Sequence, residues 1–317
     1  MVCSPQKFLT AKPISLRCGS TLQTPSGSEG WAERFQERRR HLRAVAYRIL
    51  GSVSEADDVL QEAWLRLSRS DASSVENLGG WFTTIVARVS LNMLRARKAK
   101  REEPLEGRIP DPIVSPPDGT DPEHEALIGD SLGLALLVVL ESLAPAERVA
   151  FVLHDMFGVP FEEIATITER SAAAVRQLAS RARRRVQAQA RLPDPDLTRQ
   201  WSVVEAFSAA SRDGNFDALV AVLDPDILLR EDNGTRPGRA SLVVRGARAV
   251  TERAMMFSHL GAYAHRALVN GAPGVVVIPE GRPFAVMAFT VSDGRIVEID
   301  VLNDPARLSE LKLPTLD

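Results

Sequence analysis

Phe161 to Arg185 reads F-E-E-I-A-T-I-T-E-R-S-A-A-A-V-R-Q-L-A-S-R-A-R-R-R. Its spacing predicts two short helices joined by a tight turn, Thr168-Glu169-Arg170. In the first, Phe161, Ile164, Ala165 and Ile167 form an apolar side. In the second, Val175, Leu178, Ala179 and Ala182 recur at i, i+3, i+4 and i+7, one face of a helix. Ser171 stands where an N-cap is expected. Ala173, Arg176, Gln177, Ser180 and Arg184 fall on another face. Taken singly, a basic amphipathic helix reads equally well as a solvated surface. The helix before it favours a helix-turn-helix, and a basic helix with a small-residue start fits the DNA major groove.

Outward from this stretch, the bulk composition is that of a globular protein. The 317 residues are 44% hydrophobic and 25% charged, enough for two or three domains. Net charge is −2, which gives no global basic field. The charges are segregated instead. Arg95, Arg97, Lys98, Lys100 and Arg101 lie together, as do Arg181, Arg183, Arg184 and Arg185. Such local patches steer a protein to phosphate. Cys3 and Cys18 suit no common zinc spacing and imply no disulfide framework. No apolar run approaches the ~20 residues of a membrane span, and no signal peptide is evident. Neither a metal nor a cofactor is expected, and the expected location is cytoplasmic.

The chain divides by composition. Residues 1–29 read as a disordered leader. Residues 30–103 read as a three-helix bundle: Trp31 to Leu50, ended by Gly51; a helix starting at Ser54 with Asp57 as capping-box acid; and a long helix opened by Trp81. Residues 104–125, rich in proline and acid, read as a linker whose composition opposes packing. Residues 126–190 hold the helix-turn-helix domain, with Pro145 at a helix start. Residues 191–198 form a second linker. Residues 199–317 read as helices followed by antiparallel strands, an α+β domain. The predicted strands are Ile227–Arg230, Leu242–Arg245, His265–Val269, Val275–Ile278, Phe284–Val291 and Ile296–Leu302.

R-V-A-F-V-L-H-D-M-F-G-V-P-F-E-E-I-A, followed by A-A-V-R-Q-L-A-S-R-A-R, resembles the promoter-reading C-terminal domain of extracytoplasmic-function (ECF) sigma factors. The last domain resembles a SnoaL-like cone, the NTF2-like fold shared with ketosteroid isomerases. The domain order resembles sigma factors that carry such a domain behind their two DNA-binding ones. The resemblance implies a sigma2 bundle, a sigma4 helix-turn-helix domain and an α+β cone, covering nearly everything from Trp31 onward. It implies two macromolecular partners, core RNA polymerase and promoter DNA.

Site residues follow from the residues and the resemblance together. Asp57, Asp58, Gln61 and Glu62 lie near one side of a helix, an acidic face able to grip a basic coiled coil. In the family the matching segment docks on the polymerase β′ coiled coil. Asp71, Ser74 and Asn77 in the following loop offer hydrogen bonds to an unpaired base, and Arg88, Asn92, Arg95 and Arg97 can hold single-stranded DNA. The family reads the −10 element here. For the −35 element the candidates are Ser171, Ala173, Arg176, Gln177, Ser180, Arg181 and Arg184, because Arg and Gln bond guanine and adenine edges.

Three further segments resemble family motifs that set the placement of the first two domains. Ile109-Pro110-Asp111-Pro112 lacks the family's leading Trp. Asp232-Asn233-Gly234-Thr235-Arg236 and Asn303-Asp304-Pro305-Ala306-Arg307-Leu308 are also imperfect matches. The candidates for interdomain contact are Pro110, Asp111, Pro112, Asp232, Gly234, Arg236 and Asn303. Within the cone, Asp232, Tyr263, His259, His265 and Asp300 are the polar candidates, and alternation would put Ile296, Glu298 and Asp300 on one face. No enzymatic activity is expected. A cavity that takes an apolar small molecule without chemistry reads better than an isomerase. The competing reading of the whole chain is a one-component helix-turn-helix regulator with a small-molecule-binding domain, which would not need the first bundle.

Overall fold

The computed structural model describes residues 29–69, 77–100, 108–119, 133–191, 193–234 and 241–315. The expected leader up to residue 28, Asp71, Ser74, Arg236 and the helix expected from Leu127 to residue 132 lie outside them. The first domain is three helices: α1 (Glu29–Leu50), α2 (Val53–Leu67) and α3 (Leu78–Lys100). Phe35, Leu42, Leu60, Phe82 and Leu91 bury completely between them. Phe35 meets Phe82 edge-on at 5.4 Å. Two boundaries differ from expectation, each for a capping reason. Ser52, not Ser54, caps α2, its Oγ accepting from Glu55 N at 3.4 Å. Asn77 Oδ1 accepts from Gly80 N at 3.0 Å, so α3 starts three residues before Trp81.

The second domain contains α4 (Leu134–Glu141) and α5 (Pro145–Phe151), which runs into a π-helical turn at Val152–Met156. The helix-turn-helix pair follows as α6 (Phe161–Thr168) and α7 (Ala172–Gln189). Pro145 holds the first helical position, where its missing N–H costs little. Glu169 closes α6 in the left-handed conformation at φ 58°.

The third domain packs α8 (Leu197–Arg212), α9 (Phe216–Val222) and α10 (Ala247–Met255) on one side of a sheet. Its strands are β2 (Leu223–Asp232), β3 (Leu242–Arg245), β4 (Ala264–Val269), β5 (Ala272–Val277), β6 (Ala285–Ser292) and β7 (Arg295–Leu302). Helix α11 (Pro305–Glu310) follows. All pairs are antiparallel except β2 with β7.

Alternation along each strand gives this sheet two apolar faces. Leu229, Val275, Phe289 and Ile299 point towards the domain's own helices. Val269, Val276, Val286, Ala288 and Leu302 point the other way and join the core of the two helical domains. The outer face is therefore an internal surface of the molecule.

The expected linker corrects the sequence reading most. Ile109, Pro110, Pro112, Ile113, Val114 and Ser115 are buried. Val114–Ser115 forms a strand, β1, at the sheet edge, with Val114 opposite Val269. Sheet order is β1-β4-β5-β6-β7-β2-β3. Proline suits an edge position, where a missing donor costs no ladder bond, and Ile109 N and Ile113 N find side-chain acceptors in Asp232 and Asn270.

A second correction concerns β7. The ladder pairs Thr290 with Glu298 but Val291 with Ile296, stepping past Val297. This bulge flips the alternation. Ile296 buries in the third domain's own core, whereas Glu298 and Asp300 lie on the opposite face with Arg230.

Candidate functional site

The helix-turn-helix surface has the geometry that its period demands. Val175, Leu178, Ala179 and Ala182 are buried, and Ser171, Ala173, Arg176, Gln177, Ser180, Arg181 and Arg184 are exposed along α7. Ser171 Oγ accepts from Ala174 N at 3.2 Å, so α7 starts cleanly on its capping residue. Arg176 lies over the Phe161 ring at 5.5 Å and donates to Glu162 at 2.8 Å. Both partners of that ion pair are more than half exposed, so it costs little to break. Arg183 and Arg181 pair with Asp155 and Glu147 of the same domain. Arg184 has no ion-pair partner among the described residues.

The α2 face splits in two. Asp57 is held by Arg43 of α1 through two bonds of 2.7 and 2.8 Å. Asp58, Gln61 and Glu62 instead line a groove with Asn92 and Met93 of α3. On α3, Asn92 and Arg95 are exposed. Arg88 donates to Thr166 O of α6 at 3.0 Å, bridging the two helical domains. Arg97 is used inside the bundle, where it pairs with Glu55 and donates to Leu50 O at 3.0 Å. Asn77 caps α3.

A clasp joins the segment around Asp111 to the first and third domains. Arg307 of α11 donates Nε to Asp111 Oδ1 at 2.9 Å, Nη1 to Asp232 Oδ2 at 2.6 Å and Nη2 to Ile109 O at 2.9 Å. Ile109 N donates to Asp232 Oδ2 at 3.0 Å. Asp111 N reaches Gly51 O at 2.7 Å. Tyr47 of α1 donates to Asp111 O at 2.8 Å and accepts from Asn270 Nδ2 at 2.8 Å. Asn270 Oδ1 accepts from Ile113 N at 3.1 Å, and Asn270 N donates to Ile113 O at 2.8 Å. Burial pushes the Tyr47 hydroxyl well above the usual phenol range, so it remains a neutral donor. Gly234, at φ +68°, lies where any side chain would run into the Asp304 carboxylate.

Two family models match this chain: "Sigma-70 region 2" over residues 34–100 and "Sigma-70, region 4" over residues 133–186. The "ECF RNA polymerase sigma factor SigJ" of Mycobacterium tuberculosis (strain ATCC 25618 / H37Rv) is 37% identical over 290 residues, covering 85% of this chain and 90% of the relative. The chain belongs to the ECF RNA polymerase sigma factors. A "Probable ECF RNA polymerase sigma factor SigI" of the same organism is 32% identical over 285 residues, 88% of this chain and 94% of that one. The crystal structure of Mycobacterium tuberculosis SigJ superposes with a TM-score of 0.73 at 34% identity, covering 89% of this chain and 100% of that chain. As a sigma factor, the protein serves transcription initiation.

The sigma factor's α+β domain differs inside from expectation. Asp300 and Asp232 face away from the cone interior, into the Arg230 pair and the clasp. Tyr263, His259 and His265 do not line the cavity either. The polar groups that do are Glu231, Arg253, Asn303, Ser208 and Ser211. Glu231 is the acid inside, held by Arg253 at 2.8 and 2.6 Å. Asn303 combines both settings. Its N–H donates to Asp232 O at 2.8 Å while the residue borders the cavity. Two clasp residues, Tyr47 and Asn270, are absent from the sequence reading. Asn270-Gly271 between Val269 and Ala272 is an Asn-Gly hairpin signal, which would have placed Asn270 at a turn.

Proposed function

We propose that this sigma factor reads the −35 element with α7 and the −10 element with α3, docks on the polymerase β′ coiled coil through Asp58, Gln61 and Glu62, and is held inactive by its own third domain. The observation that carries the promoter-reading part is the α7 face, polar and exposed over a fully buried apolar one. Arg176, Gln177, Ser180 and Arg184 take base or phosphate contacts, with Ser171 and Ala173 at the close approach of the helix start. On α3 the reading uses Arg88, Asn92 and Arg95. Arg97 is withdrawn from it, because its guanidinium serves the bundle.

Closure is supported by distance. Elements centred 25 base pairs apart lie about 85 Å apart along a duplex at ~3.4 Å per step. Helices α3 and α6 touch through Arg88 and Thr166, so both readers cannot engage until the two helical domains separate. Separation frees Arg88 for DNA. The domain boundaries that suit this reading are residues 30–103, 126–190 and 199–317, with the segment around Asp111 as the bar that the third domain grips. A sigma factor is a non-enzymatic subunit, working in the cytoplasm. Supporting the non-enzymatic reading, the Glu231 carboxylate is held by Arg253 through two hydrogen bonds.

Run-off transcription with purified core polymerase tests the proposal. Arg176→Ala is expected to cost about 1–3 kcal/mol of promoter binding, roughly tenfold or more in output, with polymerase binding intact. Unchanged output would remove Arg176 from the reading face. Deleting everything from Leu197 is expected to change transcription while docking on core polymerase survives. Identical transcription by truncated and full-length protein would end the regulatory role of the third domain.

A further inference from the structure

A groove of about 780 Å³ lies between the second domain and the outer face of the sheet. That is the size of a small-molecule site. Val138 of α4, Leu228 of β2, Val243 of β3 and Val297 of β7 supply apolar wall. The cations come from three separate parts of the chain. Arg108 precedes the clasp segment, Arg191 follows α7 and Arg245 ends β3. All three are exposed, and none has a side-chain hydrogen bond or ion pair among the described residues. Arg230, the fourth arginine, is committed to Asp300 at 2.8 Å and Glu298 at 3.4 Å. Against the free cations stand Asp226 and the C-terminal end of α7, the latter worth about half a negative charge. The groove is therefore left cationic.

We infer that this groove binds a phosphate monoester, its body resting on the valine and leucine wall and its phosphate shared among Arg108, Arg191 and Arg245. A monoester carries about −1.5 to −2 at pH 7, which matches the excess positive charge. Guanidinium groups take phosphate oxygens two at a time. A neutral ligand would leave the repulsion among the three cations unrelieved, and a carboxylate brings a single charge. The three arginines border one groove only while the second and third domains lie together. The anion therefore favours the closed arrangement by mass action. Arg108 carries this to the clasp, because the next residue, Ile109, is held by Asp232 and Arg307. The effect on activity rests on the reading of closure given above, and the binding does not.

The test titrates the full-length protein calorimetrically with naphthyl phosphate, naphthol and inorganic phosphate, which separate the body from the charge. Naphthyl phosphate is expected to bind about tenfold more tightly than either of the others. Arg191→Ala and Arg245→Ala should each weaken it about tenfold, the loss of one charged hydrogen bond. Both side chains are exposed, so the variants keep the fold. Arg266→Ala removes an equal charge from a surface pair with Glu205, outside the groove, and should leave the affinity unchanged. No binding of naphthyl phosphate, binding no tighter than that of naphthol, or equal weakening by all three variants overturns the site and leaves the closure reading untouched. Naphthyl phosphate should then lower run-off transcription by the wild-type protein more than by Arg245→Ala. Binding with unchanged transcription would keep the groove as a site and remove its role in closure.

Discussion

Arg307→Ala is expected to release the third domain from the segment around Asp111 and to cost about 3–5 kcal/mol, the loss typical of removing one partner from a buried ion pair. One guanidinium satisfies Asp111, Asp232 and the Ile109 carbonyl together. Asp232 has a side chain just 3% exposed, and Arg307 and Asp111 are 17% exposed. Alanine leaves two carboxylates facing one another in a site largely closed to water. The cheapest relief is hydration, which requires the clasp to open. The variant should therefore show a larger hydrodynamic radius and faster proteolysis between residues 100 and 120, along with its lower denaturation midpoint. Arg307→Lys keeps the charge but cannot serve three acceptors with a planar fork, so it should fall between. Asp111→Ala combined with Arg307→Ala should cost less than the sum of the two, because both remove the same bond. A variant with wild-type midpoint and wild-type compactness would show that Arg307 is not what holds the domains together.

The clasp also marks where sequence reading stops. The α7 helix was legible down to single residues. Its four apolar positions share one face by period alone, and each is buried. Strands β2 to β7 were legible to within a few residues, because alternation and turn residues are local signals. By composition the segment from Ile109 to Ser115 was misread as a free linker, although the family resemblance named its Pro110, Asp111 and Pro112 as interdomain contacts. Its prolines and acids have the composition of a free linker, yet its partners lie at Asn270 and Arg307, up to 198 residues away. Composition and periodicity within the segment do not encode them. The interior of the cone was misread for a different reason. One unpaired residue, Val297, reverses which face Glu298 and Asp300 occupy, and alternation counted from Ile296 cannot detect it. The acidic face of α2 was read as a unit, but Arg43 takes Asp57 out of it. The partner that divides the face lies on another helix.

Arg230→Met is expected to destabilise the protein by about 3–5 kcal/mol near neutral pH, with the loss shrinking as the solution is acidified. Arg230 donates to Asp300 at 2.8 Å and lies 3.4 Å from Glu298. Both acids are raised above their ordinary values of 3.8 and 4.5, burial being the main cause and the Arg230 guanidinium the main opposing one. An acid whose folded value is raised binds its proton more tightly in the folded state. Its contribution is fully present below the unfolded value and is lost as pH rises through the folded one. In the wild-type protein Arg230 limits that loss. Without it both carboxyls shift further up, and keeping them charged near neutral pH costs more. Between the ordinary carboxylate values and those raised values they protonate instead, and the variant recovers. Removing the whole group, as Arg230→Met with Glu298→Gln and Asp300→Asn, should recover much of the stability at pH 7 and flatten the dependence. Thermal unfolding of the three proteins from pH 4.5 to 8 distinguishes these outcomes. A single-variant loss that is the same at both ends of that range would mean the carboxyls are already relieved by water, and that Arg230 contributes packing rather than charge.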